Sequence, residues 1–175
     1  MDKITPKAAS RKEDIISAAI TVFADLGYYR ATTAQVAAQA NISQPYVYRF
    51  YNTKEALLLA ALERSWDRIL QAFSSVREKV KPEDMETAFT EAYKNVLRNF
   101  QSEILLQMQA QTIQDPEIRK AMQSGMKRIR DYVLSSFQQS GYPEPEERTT
   151  IFLAKGMLCN IALAIDMDEL MPNHL

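Results

Sequence analysis

Apolar residues recur along this chain three and four positions apart, and no stretch shows the two-residue alternation of a half-buried strand. That period commits the chain to helices. Glycine supports the same reading: only 4 of 175 residues are Gly, while Ala, Leu, Gln, Glu and Lys are plentiful. The fold class read from this pattern is all-α. The scarcity of glycine also leaves little from which to build a phosphate-cradling loop.

Helix boundaries can be placed by their capping chemistry. A first helix spans about Ser10 to Leu26, with Ile15, Ala19, Val22, Phe23 and Leu26 on one face and Gly27 as its stop. Thr32 and Gln35 have the spacing of a capping box and open a second helix, whose apolar face is Val36, Ala37 and Ala40. Asn41 tolerates the left-handed conformation of a tight turn. Ser43 then sits at an N-cap with Pro45 just inside a short third helix that ends near Tyr51 and Asn52. Thr53 caps a long helix to about Val80, broken by Lys81-Pro82. Further helices are predicted near 83–100, 103–113, 116–140 and 145–165, the third of these opened by Asp115-Pro116, and the tail 168–175 reads as frayed.

A short helix, a tight turn and a second short helix are the parts of a helix-turn-helix, whose second helix enters the major groove of DNA. Within Ser43–Lys54, Val47 and Tyr51 are four apart and can pack inward. Gln44, Tyr46, Tyr48 and Arg49 are then left facing outward. Gln can read adenine and Arg guanine, whereas Ser43, tyrosine hydroxyls and Lys54 suit phosphates. The lesser alternatives are half-buried cover of a small core for Tyr48 and, less so, Tyr46, and a solvated surface residue for Arg49. Charge is uneven in the matching sense. Residues 1–54 hold seven bases and four acids, net +3, and the remainder 14 bases and 18 acids, net −4.

The run Thr32-Thr33-Ala34-Gln35-Val36-Ala37-Ala38-Gln39-Ala40-Asn41-Ile42-Ser43, followed by Tyr48, Tyr51, Thr53-Lys54-Glu55 and Leu57, resembles the N-terminal signature of the TetR family of transcriptional regulators, and Ile15–Gly27 fits it as well. The resemblance implies a three-helix DNA-binding domain, a five-helix effector-binding and dimerisation body, and a homodimer on a near-palindromic operator of double-stranded DNA. With that division, residues 1–53 form the first domain and 54–175 the second. Carried over by position, the DNA contacts are Thr33, Ser43, Gln44, Pro45, Tyr46, Tyr48, Arg49 and Lys54. Two positions depart from the family pattern, since Asn41 and Pro45 both stand where glycine is usual. Pro45 has no N–H for a phosphate, although its ring can touch a sugar or a thymine methyl.

Beyond Leu57 the physics of the body carries the reading. The last helix is apolar nearly all round, from Ile151 and Phe152 to Ile161 and Ile165, so both its sides need cover. Together with the helix at 116–140, which carries Leu134 outside its main stripe, it is expected to form a four-helix interface in a homodimer. Trp66, Phe89, Tyr93, Phe100, Met108, Met126, Met157 and Asn160 are the candidate effector-binding residues. Most of them would serve as well in a filled core. Trp66, Tyr93 and Asn160 each bring a polar atom to an apolar face. The predicted effector is a small apolar or amphipathic molecule.

Other functions fare less well. The one histidine, His174, stands in the tail, so no triad forms around it, and no cofactor or metal-ligand cluster is evident. The single cysteine, Cys159, reads as a small core residue. The chain is not expected to be an enzyme. A helical adaptor that binds only protein is the rival, but it leaves the capped short helices with Gln44, Tyr46 and Arg49 unexplained. The start MDKITPKAAS is no signal peptide, and the longest apolar run, 151–165, is shorter than a bilayer span, so a cytoplasmic location without membrane contact is expected.

Overall fold

The computed structural model describes residues 6–171. They form eight α-helices, with no strand among the described residues: α1 (Pro6–Leu26), α2 (Thr33–Gln39), α3 (Gln44–Tyr48), α4 (Lys54–Arg77), α5 (Met85–Asn99), α6 (Gln101–Ala110), α7 (Pro116–Gln139) and α8 (Pro145–Ile165). Short 3-10 turns at Pro82–Asp84 and Asp168–Leu170 complete the path. The second of these corrects the reading of a frayed tail. Residues 168–170 fold back as a turn, and Met171 packs against the core. His174 lies outside the described residues.

Most boundaries follow from local chemistry. The Thr32 hydroxyl accepts the Gln35 N–H while the Gln35 side chain accepts the Thr32 N–H, closing the capping box. After α2, Asn41 adopts φ 53°. Its N–H bonds Ala38 and that of Ile42 bonds Ala37, the two reverse bonds that satisfy a helix's last carbonyls. The Asp115 carboxylate accepts from Glu117 and Ile118 N–H, and Pro116, lacking an N–H, occupies the first helical position of α7 at no hydrogen-bond cost. Two boundaries differ from the sequence reading. Helix α1 begins at Pro6 rather than near Ser10, since nothing between them breaks a helix. Helix α3 is a mere five residues, ending at Tyr48.

Two apolar cores run end to end. The first joins α1, α2 and α3 through Ile15, Ala19, Phe23, Val36 and Val47. It does not stop at residue 53: Leu57, Leu58, Ala61 and Leu62 of α4 and Leu106 and Ala110 of α6 complete it. The second fills the body around an aromatic cluster of Phe73, Phe89, Phe137 and Phe152. Helix α4 thus runs through both cores, and Trp66 stands just past their junction. Its indole lies flat on α7 at Gly125, where a Cβ would come within 2.3 Å of the ring.

Helix α6 bridges the same two regions from the other side. Gln109 donates to the Ala24 carbonyl in the last turn of α1 at 2.5 Å, occupying one of the acceptors a helix end leaves open. Two residues away on either side, Gln107 donates to Ser65 of α4 inside the body and Gln111 borders a body cavity.

Helix α8 presents two unlike faces. Phe152, Cys159, Asn160 and Ala162 are buried. Ile151, Leu158, Ile161 and Ile165 are 47%, 37%, 40% and 58% exposed. With exposed Ala154 they repeat at the three- and four-residue steps of a helix-pairing seam. By length and hydropathy alone this 21-residue helix could cross a bilayer, which revises the limit read from the 151–165 run. Its buried face packs on α6 and α7.

Candidate nucleic-acid interface and body cavity

Helix α3 is anchored in the first core by Val47, fully buried, and Tyr51, just beyond its end, is buried with Lys12 of α1 over its ring. Its other residues face outward or half outward: Ser43, Pro45, Tyr48 and Arg49 are exposed, and Gln44 and Tyr46 are half-buried. The Ser43 hydroxyl makes no capping bond and is left for an external partner. The Arg49 guanidinium lies 5.4 Å from the Tyr46 ring centre, and that ring meets Phe50 edge-on. A guanidinium against an aromatic face is held extended without losing its N–H donors.

Thr33 has a different position from its neighbours on this surface. It is buried, and its hydroxyl joins the helices. Gln44 Nε2 donates to Thr33 Oγ1 at 2.9 Å, and Thr33 Oγ1 lies 3.0 Å from the Tyr48 hydroxyl. With its oxygen already accepting from Gln44, Thr33 can donate its single hydrogen to Tyr48. The Tyr48 hydroxyl hydrogen is then free to point to solvent, where a phosphate oxygen would accept it. The three residues work as one braced unit, with Thr33 holding and Tyr48 presenting.

Lys54 is engaged within the fold. Its ammonium donates to the Tyr28 carbonyl at 2.7 Å and the Ala31 carbonyl at 3.1 Å, with the Tyr29 carbonyl at 3.4 Å. It also sits 4.6 Å from the Tyr28 ring centre. A lysine in the first turn of a helix faces the positive end of the helix dipole, and these carbonyls supply the opposite polarity. Its donors are therefore used in pinning the turn between α1 and α2 to the start of α4. Replacing Lys54 by Met, which keeps the stem and removes the donors, is expected to lower stability by about 1–2 kcal/mol. Thermal melts without DNA check this. An unchanged melt with weakened DNA binding would return Lys54 to a phosphate contact.

The same turn exposes two residues that the sequence reading did not single out. Tyr29, 74% exposed, and Arg30, also exposed, stand on this turn ahead of Ala31 and the Thr32 cap. The available signal was their place just before the capping box, on a turn held too tightly to hide them.

In the body, a cavity of about 50 Å³ lies between α4, α5, α6, α7 and α8. Of the eight candidate effector-binding residues, Trp66, Tyr93, Met126, Met157 and Asn160 line it. Three expected residues do not. Phe89 is fully buried in the aromatic cluster behind the cavity. Phe100 packs elsewhere, 3.9 Å beneath the Arg68 guanidinium. Met108 packs at the edge of the second core without reaching the cavity. Helical periodicity marked all three as inward but could not say toward what.

Polar atoms around the cavity are mostly satisfied. The Tyr93 hydroxyl donates to Asn160 Oδ1 at 2.7 Å, and full burial pushes its pKa well above the usual tyrosine range. Gln107 donates to Ser65, which donates to the Leu62 carbonyl. Nearby, the buried Glu103 carboxylate is held 3.2 Å from Arg68. Burial still raises its pKa, with the Arg68 hydrogen bond and charge opposing. The Trp66 N–H is the exception, buried without a partner. Among the described residues no cluster of three or more His, Cys, Asp or Glu could hold a metal.

Residues 15–61 match the family described as bacterial regulatory proteins, tetR family. A stretch of 71 residues is 34% identical to the HTH-type transcriptional activator FasR of Mycolicibacterium smegmatis (strain ATCC 700084 / mc(2)155), covering 41% of this chain and 31% of that one. The chain thus spans about a third of the length of this curated relative. The whole fold is similar to a TetR transcriptional regulator from Chloroflexus aurantiacus J-10-FL, with TM-score 0.80 at 16% identity over 96% of this chain and 91% of that one. It is also similar to AibR in complex with isovaleryl coenzyme A and operator DNA, with TM-score 0.71 at 18% identity over 93% and 98% of the two chains.

Proposed function

We propose, from the premise that the N-terminal domain of this chain belongs to the tetR family of bacterial regulatory proteins, that the protein is a homodimeric, effector-responsive transcription regulator. The observation that carries this reading is the braced surface of α3. A five-residue helix and its two caps expose Ser43, Tyr48 and Arg49, while Thr33 of α2 fixes the helix through Gln44 and Tyr48. An isolated helix of this length would not hold in water, so the fold invests in presenting it. Residues 1–53 supply this surface, and 54–175 supply the cavity and the α7–α8 dimer face. The protein is not an enzyme on this reading, works in the cytoplasm and needs no cofactor.

Its action is repression by operator occupancy, relieved when a small apolar or amphipathic effector enters the cavity beside Trp66 and Tyr93. Such an effector acts only through a difference in affinity between the DNA-bound and free conformations. Helices α7 and α8 pair the two copies, so that two α3 helices meet successive major-groove faces of a near-palindromic site.

Selection of bound sequences from a random DNA pool tests the reading directly. The expected outcome is a palindrome whose affinity falls with salt. Arg49→Ala is expected to relax preference at one base per half-site, costing about tenfold or more there. Failure to enrich any palindrome would count against the dimeric DNA-binding reading, and unchanged base preference in Arg49→Ala would remove that residue's reading role.

A further inference from the structure

Outside the cavity, on the other side of Trp66, lies an open groove of about 570 Å³. Trp66, Gln111, Met126 and Met157 border both spaces, so cavity and groove share one wall and one threshold. Their linings differ in kind. Ile69, Phe73, Ile129, Phe152 and Leu153 make the inner space apolar. The groove is bordered by Arg119, Lys127 and Arg130 and by no carboxylate.

The charges facing that groove are few enough to enumerate. Lys127 and Arg130 share the carboxylate of Asp131, which leaves one positive charge in excess between them. Arg119 bonds the neutral Gln114 side chain and adds a second. Arg128, on the next face of α7, is already matched by Glu63 and Asp67. Two uncompensated positive charges at the mouth of a mostly apolar cavity attract an anion that has an apolar part to bury.

The threshold supplies the third element. Trp66 is 3% exposed, and its N–H has no partner. Leaving a buried donor unpaired costs free energy that a ligand acceptor would recover. The polar pair deeper in, Tyr93 with Asn160, is satisfied by itself. A ligand's polar atom therefore gains most at Trp66, between tail space and head space.

We propose that the effector is an acyl anion: its apolar tail lies in the cavity, its carbonyl accepts from the Trp66 N–H, and its negative charge rests in the groove on Arg119, Lys127 and Arg130. This rests on the effector-responsive reading above and assigns that effector's chemical class. A cavity of about 50 Å³ must widen to take a tail, and Met126 and Met157, flexible and on the shared wall, are the side chains that can yield. The anionic end can belong to a free fatty acid or to the phosphates of a thioester carrier.

The protein carries its own probe, because Trp66 is its one tryptophan. Full-length protein is titrated with decanoate and palmitate, their coenzyme A thioesters, the matching primary alcohols, and coenzyme A alone, following Trp66 emission. The expected result is an emission change with acid or thioester and binding about tenfold tighter than for the alcohol. A tighter thioester assigns the phosphorylated carrier, and a tighter acid assigns the free acid. Combining Arg119→Gln, Lys127→Gln and Arg130→Gln is expected to abolish that preference while leaving alcohol binding in place. Trp66→Phe, followed by calorimetry, is expected to weaken the charged ligand about fivefold to tenfold.

Equal binding of alcohol and acid, or groove variants without effect, would overturn the anionic head and leave a neutral effector. Coenzyme A alone binding as tightly as its thioesters would overturn the tail. Binding by none of the probes would overturn the assignment entirely, while the operator selection would still decide the DNA-binding reading on its own.

Discussion

Ile161→Glu is expected to give a folded monomer that has lost about a hundredfold or more of operator affinity. Ile161 is 40% exposed in the single chain, so the charge meets water there and the fold has little reason to object. The cost arises only on pairing. Ile151, Ala154, Leu158, Ile161 and Ile165 form one seam, and a two-fold axis places each substituted residue against the same face of the other copy. Two unpaired carboxylates would then be buried in an apolar contact. On the proposed reading, loss of the dimer leaves each α3 to bind its half-site alone, and the advantage of linked binding disappears. Sedimentation at micromolar concentration checks the assembly, circular dichroism checks the fold, and titration with the selected operator checks affinity. A dimer that survives the substitution would move the interface away from α8.

The second large effect lies inside the body. Gly125→Ala is expected to destabilise the protein by about 2–3 kcal/mol, because the new methyl would meet the Trp66 ring at 2.3 Å. The threatened neighbour is a rigid indole rather than the end of a flexible chain, so relief requires α4 and α7 to part. In a Trp66→Leu background the same substitution is expected to change sign and stabilise by about 0.5–1 kcal/mol, since alanine is the better helix former once the clash is gone. A double-mutant cycle measured by thermal melting at fixed protein concentration reads both values. A loss of the same size in both backgrounds would show that the Gly125–Trp66 contact is not the cause.

What the sequence made legible was local. The Thr32–Gln35 box, Asn41 in the left-handed region and Asp115 before Pro116 each depend on neighbours within a few positions, and each stands as read. Burial of Val47 and Tyr51 was equally accessible from their four-residue step, although the helix itself stops at Tyr48 and Tyr51 is buried from the loop that follows. The internal bonds of Lys54 were not legible, for the opposite reason. Its partners, Tyr28 and Ala31, lie 26 and 23 positions away, and no spacing rule connects them. Thr33 looked like an outward contact until the fold brought Gln44 and Tyr48 onto its hydroxyl. In the body, periodicity distinguished inside from outside but not cavity from packed cluster. Trp66 and Phe89 therefore carried the same sequence signal, although one lines a void and the other fills the core.

Helix α6 holds the end of α1 through Gln109 on Ala24 and lines the body cavity through Gln107, only two residues before. A helical turn between these positions is too stiff to bend, so one end cannot shift without the other. Linkage then makes the coupling reciprocal: an effector that loosens the operator by some factor must itself be loosened by operator DNA by that same factor. The affinity measured on free protein is accordingly the tightest the effector will show. A promoter already occupied responds only at concentrations higher by the coupling factor, which gives the switch a threshold set by the grip of α6 as well as by the cavity.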